Sequence, residues 1–130
     1  MPTPPAQFST FGCTILGSGS SGNASVIHGP EGNLLLDAGF SGIEIQRRLA
    51  KVSVDPASIR AILVTHAHPD HVHKSGCAAL ARRLDIPVYL MPESIPELRE
   101  RKIKVPEKVI LFQPGFEFEL CGIRIPAERW

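Results

Sequence analysis

At 130 residues with 43% apolar side chains, the chain has material for one packed core and too little for two. Fourteen basic against thirteen acidic residues leave a net charge of +1, so no overall field recruits nucleic acid or an anionic membrane. No apolar run approaches the ~20 residues of a spanning helix, and Met1-Pro2-Thr3-Pro4-Pro5 lacks a basic-then-apolar leader. Cys13, Cys77 and Cys121 are odd in number and lack disulfide or metal spacing, so they read as reduced thiols of a cytoplasmic protein. Disorder, collagen, a disulfide scaffold and a membrane protein are thereby excluded. A soluble α/β or α+β domain remains.

In chain order, residues 1–10 are Pro-rich and read as a flexible tail, with one domain over 11–130. Cys13 to Leu16 is a short apolar run stopped by the cluster Gly17 to Gly22, a strand followed by a tight turn. Ala24 to His28 and Leu34 to Leu36 flank the turn Gly29 to Asn33 and suggest an antiparallel hairpin. Ser41 to Lys51 changes period: Ile43, Ile45 and Leu49 alternate with Arg47, Arg48 and Lys51 as in an amphipathic helix. Ser41 is its expected N-cap, with Glu44 three residues on. Asp55 to Ile59 is a loop or short helical turn. Ala61 to Thr65 is apolar almost throughout and reads as a strand buried on both faces.

Beyond it, Gly76 to Leu84 is helix-forming and Ile86 to Leu90 is a strand. Pro92 to Arg101 is a short helix in which Ser94 and Glu97 have capping-box spacing. Val109 to Phe112 and Phe116 to Ile125 are two further strands, the latter interrupted by Gly122. The mixture of hairpin and crossover connections predicts one sheet with helices packed on it.

Four of the five histidines fall in Thr65-His66-Ala67-His68-Pro69-Asp70-His71-Val72-His73. Two residues apart, His66 and His68 share a face only where the backbone is extended, as at the end of a strand. Pro69 turns the chain, and Asp70 and His71 are expected at the start of a helix, able to point back at the same pocket without having to reach the same ion. Imidazoles with a carboxylate favour zinc, with manganese, iron or cobalt also suited. A chance His-x-His-x-Asp-His match in a chain this long is on the order of one in ten thousand, which sets aside an idle polar loop.

Thr65 to His71 resembles the His-x-His-x-Asp-His signature of the metallo-β-lactamase fold superfamily. Leu34-Leu35-Leu36-Asp37-Ala38-Gly39 is similar to that superfamily's first motif. Leu16 to Ala24 looks like the opening of its WalJ/YycJ-like exonuclease branch. The resemblance covers about Thr14 to Ile125, the N-terminal half of the family's domain. It implies an α/β fold, the αββα sandwich, here truncated to a mixed sheet with its helices. It also implies a metal-dependent hydrolase acting on phosphodiesters through a metal-activated water.

Carried over, His66 and His68 would bind the first metal and Asp70 and His71 the second, Zn2+ in both places with Mn2+ an alternative. Asp37 would organise the ligand loop and Asp70 would orient or deprotonate the water. Ser20, Ser21 and Asn23 would border the substrate, a nucleic acid or another phosphodiester. The family's later ligands, a third histidine, a bridging aspartate and a last histidine, have no counterpart here. A catalytically incomplete fragment is therefore the alternative, one that binds metal only or needs a complementary C-terminal half. An exposed sheet face would then favour self-association.

Three further features of the sequence read as structural. Gly17-x-Gly19-x-x-Gly22 matches the dinucleotide fingerprint, but Asn23 to His28 is β-leaning where that motif needs a helix. The basic runs around Arg82-Arg83 and Arg99 to Lys104 read as solvated helix faces. His28 sits too early for the cluster, and His73 reads as a solvated side chain.

Overall fold

The computed structural model describes residues 12–113 and 117–125. Six strands, β1 (Gly12–Gly17), β2 (Ala24–Gly29), β3 (Gly32–Leu36), β4 (Ile59–Leu63), β5 (Val88–Leu90) and β6 (Val109–Leu111), form one sheet in chain order. The first three are an antiparallel meander, and β3 to β6 run parallel. Parallel neighbours need a crossover, supplied by the helices α1 (Gly42–Lys51), α2 (Gly76–Leu84) and α3 (Ser94–Glu100).

Alternation along the strands sorts the core into two faces. On one, Val26, Leu35, Ile62, Val88 and Leu90 pack with Ile45 and Leu49 of α1, Cys77 and Leu80 of α2, and Leu98 of α3. On the other, Leu34, Ala61 and Leu63 meet Phe112, Ile123 and Ile125. The last two belong to a separate antiparallel hairpin, β7 (Phe118–Leu120) and β8 (Ile123–Ile125).

That hairpin corrects two expectations. Phe116 to Ile125 is not one interrupted strand, because Cys121 and Gly122 both take positive φ (58° and 73°), the left-handed pair of a two-residue hairpin turn. Gly122 suits that geometry and Cys121 does not advertise it. The second sheet face is also partly covered, by β7 and β8 themselves.

Other boundaries follow from local chemistry. Ser41 caps α1 by accepting from Glu44 N–H at 3.2 Å, while the Glu44 carboxylate turns to Arg47 and Arg48 instead of closing the capping box. Asp55 caps the 3-10 turn Pro56–Ser58 through Ala57 N–H. The strand expected at Ala61 to Thr65 lies two residues earlier, and Ile86 and Pro87 precede β5. In α3, Ser94 is inside the helix, buried, and Glu93 is the N-cap without a side-chain bond, so the expected capping box is absent. Residues 1–10, expected as a tail, lie outside the described residues.

Candidate functional site

Because β3 and β4 are parallel with Leu36 opposite Leu63, their carboxyl ends lie side by side. Ligand sites of parallel sheets gather at that edge. Asp37 leaves β3 at φ 65°, a left-handed conformation that aspartate tolerates better than most residues. Its N–H donates to Leu63 O at 2.8 Å. Its carboxylate, 6% exposed, accepts from Thr65 N–H, the Thr65 hydroxyl and His71 Nδ1–H, each at 2.8 Å. Asp37 is thus bonded to two residues of the segment after β4, Thr65 and His71.

The loop is also fixed through its main chain. Ala38 and Val72 form a parallel bridge, with Ala38 N–H to His71 O at 2.8 Å and His73 N–H to Ala38 O at 2.7 Å. Asn23 N–H donates to Asp70 O at 2.7 Å, and Gly39 N–H to Asn23 O at 2.9 Å. These contacts are so close that a Cβ at Gly39 would stand 2.0 Å from Asp70 O, and one at Gly76 would stand 2.4 Å from Phe40 O. The sequence marks Gly39 as the end of the first motif and Gly76 as a helix start, but not the close main-chain contacts that both make.

The expected helix start at Asp70 and His71 is a turn instead, closed by His71 N–H and Val72 N–H on His68 O. Val72 is committed to its bridge with Ala38, so α2 begins only at Gly76. His73 is no solvated side chain either. Its Nδ1 accepts from Gly76 N–H at 3.0 Å and Ser75 N–H at 3.3 Å, filling the capping place that the Ser75 side chain leaves empty. His28 is held at both ring nitrogens, by Thr14 and Asn33, and is part of the meander.

Ser20 and Ser21 are exposed in the loop after β1. The amide of Asn23, expected to border substrate, is occupied within the protein. It donates to Gly19 O (2.9 Å) and Asp70 O (3.1 Å) and accepts from Gly19 N–H (3.1 Å).

Of the four candidate ligands, His66 and His68 are exposed, and Asp70 and His71 are half-buried. The His66 ring lies 4.9 Å from that of His71 and 6.5 Å from that of His68, centre to centre. His71 Nε2 is 3.8 Å from Asp70 Oδ2. The donor set fits a divalent cation by its chemistry: the bond to Asp37 at His71 Nδ1 leaves Nε2 as that ring's remaining donor. The four come together as neighbouring pairs. Among the described residues, no three His, Cys, Asp or Glu side chains converge tightly enough to hold one ion.

Beneath the site, the Cys77 thiol is fully buried on α2. Burial, and then the nearby charge of Asp37, push its pKa up to about 12, which makes it an inert core group.

Residues 17–124 match the family model described as the metallo-beta-lactamase superfamily. The chain belongs to the metallo-β-lactamase superfamily. Members of that superfamily are typically metal-dependent, usually on zinc. Exodeoxyribonuclease WalJ of Streptococcus pneumoniae serotype 2 is 43% identical over 79 residues, 61% of this chain and 29% of that protein. Exodeoxyribonuclease YycJ of Bacillus anthracis is 40% identical over 76 residues, 58% and 28% of the two chains. Ribonuclease Z of Aeropyrum pernix is 35% identical over 126 residues, 85% and 37%.

The match therefore spans little more than a third of these curated relatives at most. Among solved structures, a B3 metallo-β-lactamase with an active-site glutamic acid superposes with a TM-score of 0.71. Its identity is 20%, over 92% of this chain and 54% of the other. Rm3 metallo-β-lactamase gives 0.71 at 21%, over 88% and 48%. At such identity the likeness is one of fold, and it bears out the α/β metallo-β-lactamase architecture expected from the motifs. No helix among the described residues is long and apolar enough to cross a membrane.

Proposed function

We propose that the chain carries the His-x-His-x-Asp-His part of a metal-dependent phosphodiesterase centre acting on nucleic acid, in the cytoplasm. The observation that carries this reading is the buried Asp37 carboxylate, whose three hydrogen bonds aim the 65–73 loop at the carboxyl edge of the sheet. The exonuclease and ribonuclease names of the sequence relatives supply the substrate class.

His66 and His68 would hold a first ion and Asp70 and His71 a second, Zn2+ with Mn2+ as the alternative. Bound there, such ions supply Lewis acidity toward a phosphoryl oxygen and lower the pKa of a water to about 7. Asp70 contributes the carboxylate that orients the attacking water and takes its proton. Asp37 keeps His71 turned so that Nε2 is the free nitrogen. Ser20 and Ser21, exposed at the same sheet edge, border the strand of nucleic acid.

A second reading is favoured by one observation: no three ligands converge among the described residues. Two side chains per ion fall short of the three that catalytic zinc ordinarily takes. On that reading these 130 residues bind an ion weakly and complete the centre only with ligands from another segment.

Calorimetric titration with Zn2+ and Mn2+, run beside hydrolysis of bis-p-nitrophenyl phosphate and of labelled single-stranded DNA, separates the two. Metal-dependent cleavage that disappears in His68→Ala supports the first. Weak binding without cleavage supports the second. Cleavage that persists in chelator or in His68→Ala refutes the assignment of the cluster.

A further inference from the structure

A count of hydrogens around Asp37 leads to a residue that the motif comparison leaves without a role. A carboxylate offers only acceptors, so each contact to Asp37 must be donated by its partner. Thr65 N–H and His71 Nδ1–H are two of those donors, and the Thr65 hydroxyl, at 2.8 Å from Oδ2, is the third. A hydroxyl has one hydrogen. With that hydrogen on Asp37, Thr65 Oγ1 can only accept at its other short contact, 2.9 Å from His66 Nδ1. The His66 ring must therefore bring the proton, on Nδ1.

We infer that Thr65 is a positioning residue, relaying the charge of Asp37 to His66 and fixing that ring with its proton on Nδ1 and its lone pair on Nε2. One buried carboxylate then sets two rings, His71 directly and His66 through a hydroxyl. Neither Nε2 has a hydrogen-bond partner among the described residues, so both lone pairs are available to a cation. His68 has no such tie among the described residues, so nothing there selects which of its nitrogens carries the proton. Thr65 is suited to the task because a β-branched side chain at a strand end has few rotamers. The purpose of the relay rests on the metal-centre reading above; its test does not, because it is read on metal-free protein.

Histidine-labelled protein is stripped of metal and studied by long-range proton–nitrogen correlation at mildly alkaline pH. His66 and His71 are expected to show the Nδ1–H pattern. Thr65→Val, close in shape, is expected to release His66 to mixed tautomers while His71 keeps its pattern. Thr65→Ser is expected to restore the single form. Zn2+ affinity should fall about tenfold in Thr65→Val and recover in Thr65→Ser.

A wild-type His66 protonated on Nε2, or one unchanged in Thr65→Val, overturns the relay. If Thr65→Val does not fold, the wild-type and Thr65→Ser spectra decide alone. Tautomers as stated together with no cleavage of any phosphodiester would leave the relay standing and sink the nuclease reading.

Discussion

Two polar loops leave the same edge of the sheet and are built differently. The 65–73 loop follows β4, and the Gly17–Gly22 loop follows β1, whose carboxyl end lies at the β3 edge because two antiparallel pairings separate them. The first is fastened by main-chain bonds from Ala38, His73 and Asn23, and by a buried carboxylate. The second has Ser18 to Ser21 exposed and is anchored by Gly22 N–H on Gly19 O (3.3 Å) and by Asn23. The contrast shows where the fold demands fixed geometry: at the histidine cluster, with a looser rim alongside. Asn23 hydrogen-bonds to both loops, at Gly19 and at Asp70.

The sharpest way to break this comparison is to crowd each loop in turn. Gly39→Ala puts a methyl 2.0 Å from Asp70 O, a main-chain atom that cannot turn aside. We expect a loss of about 3 kcal/mol or more, read as a lower urea midpoint, with metal heat abolished. Gly19→Ala meets nothing within 4 Å and suffers only from its φ of 143°, so about 1 kcal/mol is expected. Equal losses would mean that the two loops are equally constrained.

Next in size is Asp37→Asn. Asparagine keeps the shape and tolerates the left-handed backbone, yet its NH2 only donates, so one of the two oxygens that accept from Thr65 and His71 is lost. One buried donor loses its partner, at about 2 kcal/mol, and Zn2+ affinity should drop roughly tenfold to a hundredfold. Unaltered stability would show that the carboxylate is not what fastens the loop. His73→Ala removes the acceptor for Gly76 and Ser75 N–H and should cost about 1 kcal/mol, seen as faster amide exchange in the first turn of α2. Slower exchange there, or none of the expected change, would return His73 to the status of a solvated side chain.

The sequence makes the strong local patterns readable. The hairpin turn between β2 and β3, which in the structure narrows to Pro30 and Glu31, the Ser41 cap and the helix Gly76–Leu84 are set by neighbours in the chain, so pattern and turn chemistry reach them. The histidine cluster is readable because its spacing is rare. What pattern cannot reach is set by contacts across the fold. Val72 delays α2 because it bridges to Ala38, thirty-four positions earlier in the sequence. Thr65 matters because Asp37 comes up beside it, and Gly39 because Asp70 O lies against it. The β7–β8 turn is hidden for another reason: Cys121 sits at positive φ without the Asn or Asp that usually marks such a turn.

The smallest effect concerns the rim loop and depends on pH. Hydrogen bonds from Arg47 and then Arg48 hold the Glu44 carboxyl below its ordinary value of 4.5. A carboxyl lowered in the folded state adds stability above the unfolded value and loses it as pH falls through the folded one. Arg47 is exposed and Arg48 and Glu44 are only half-buried, so the global contribution is small. Its local reach is larger, because Arg48 also donates to Leu16 O at 2.7 Å and lies 3.9 Å over the Phe40 ring. That ring fills the space where a Cβ at Gly17 or Gly22 would be. Glu44→Gln should therefore speed amide exchange around Gly17 and Gly22 at neutral pH and leave the 65–73 loop unchanged. The difference from wild type should vanish once the pH drops below the folded value of Glu44. A difference that persists in acid, or one that appears first in the histidine loop, would show that Arg48 holds the rim without help from Glu44.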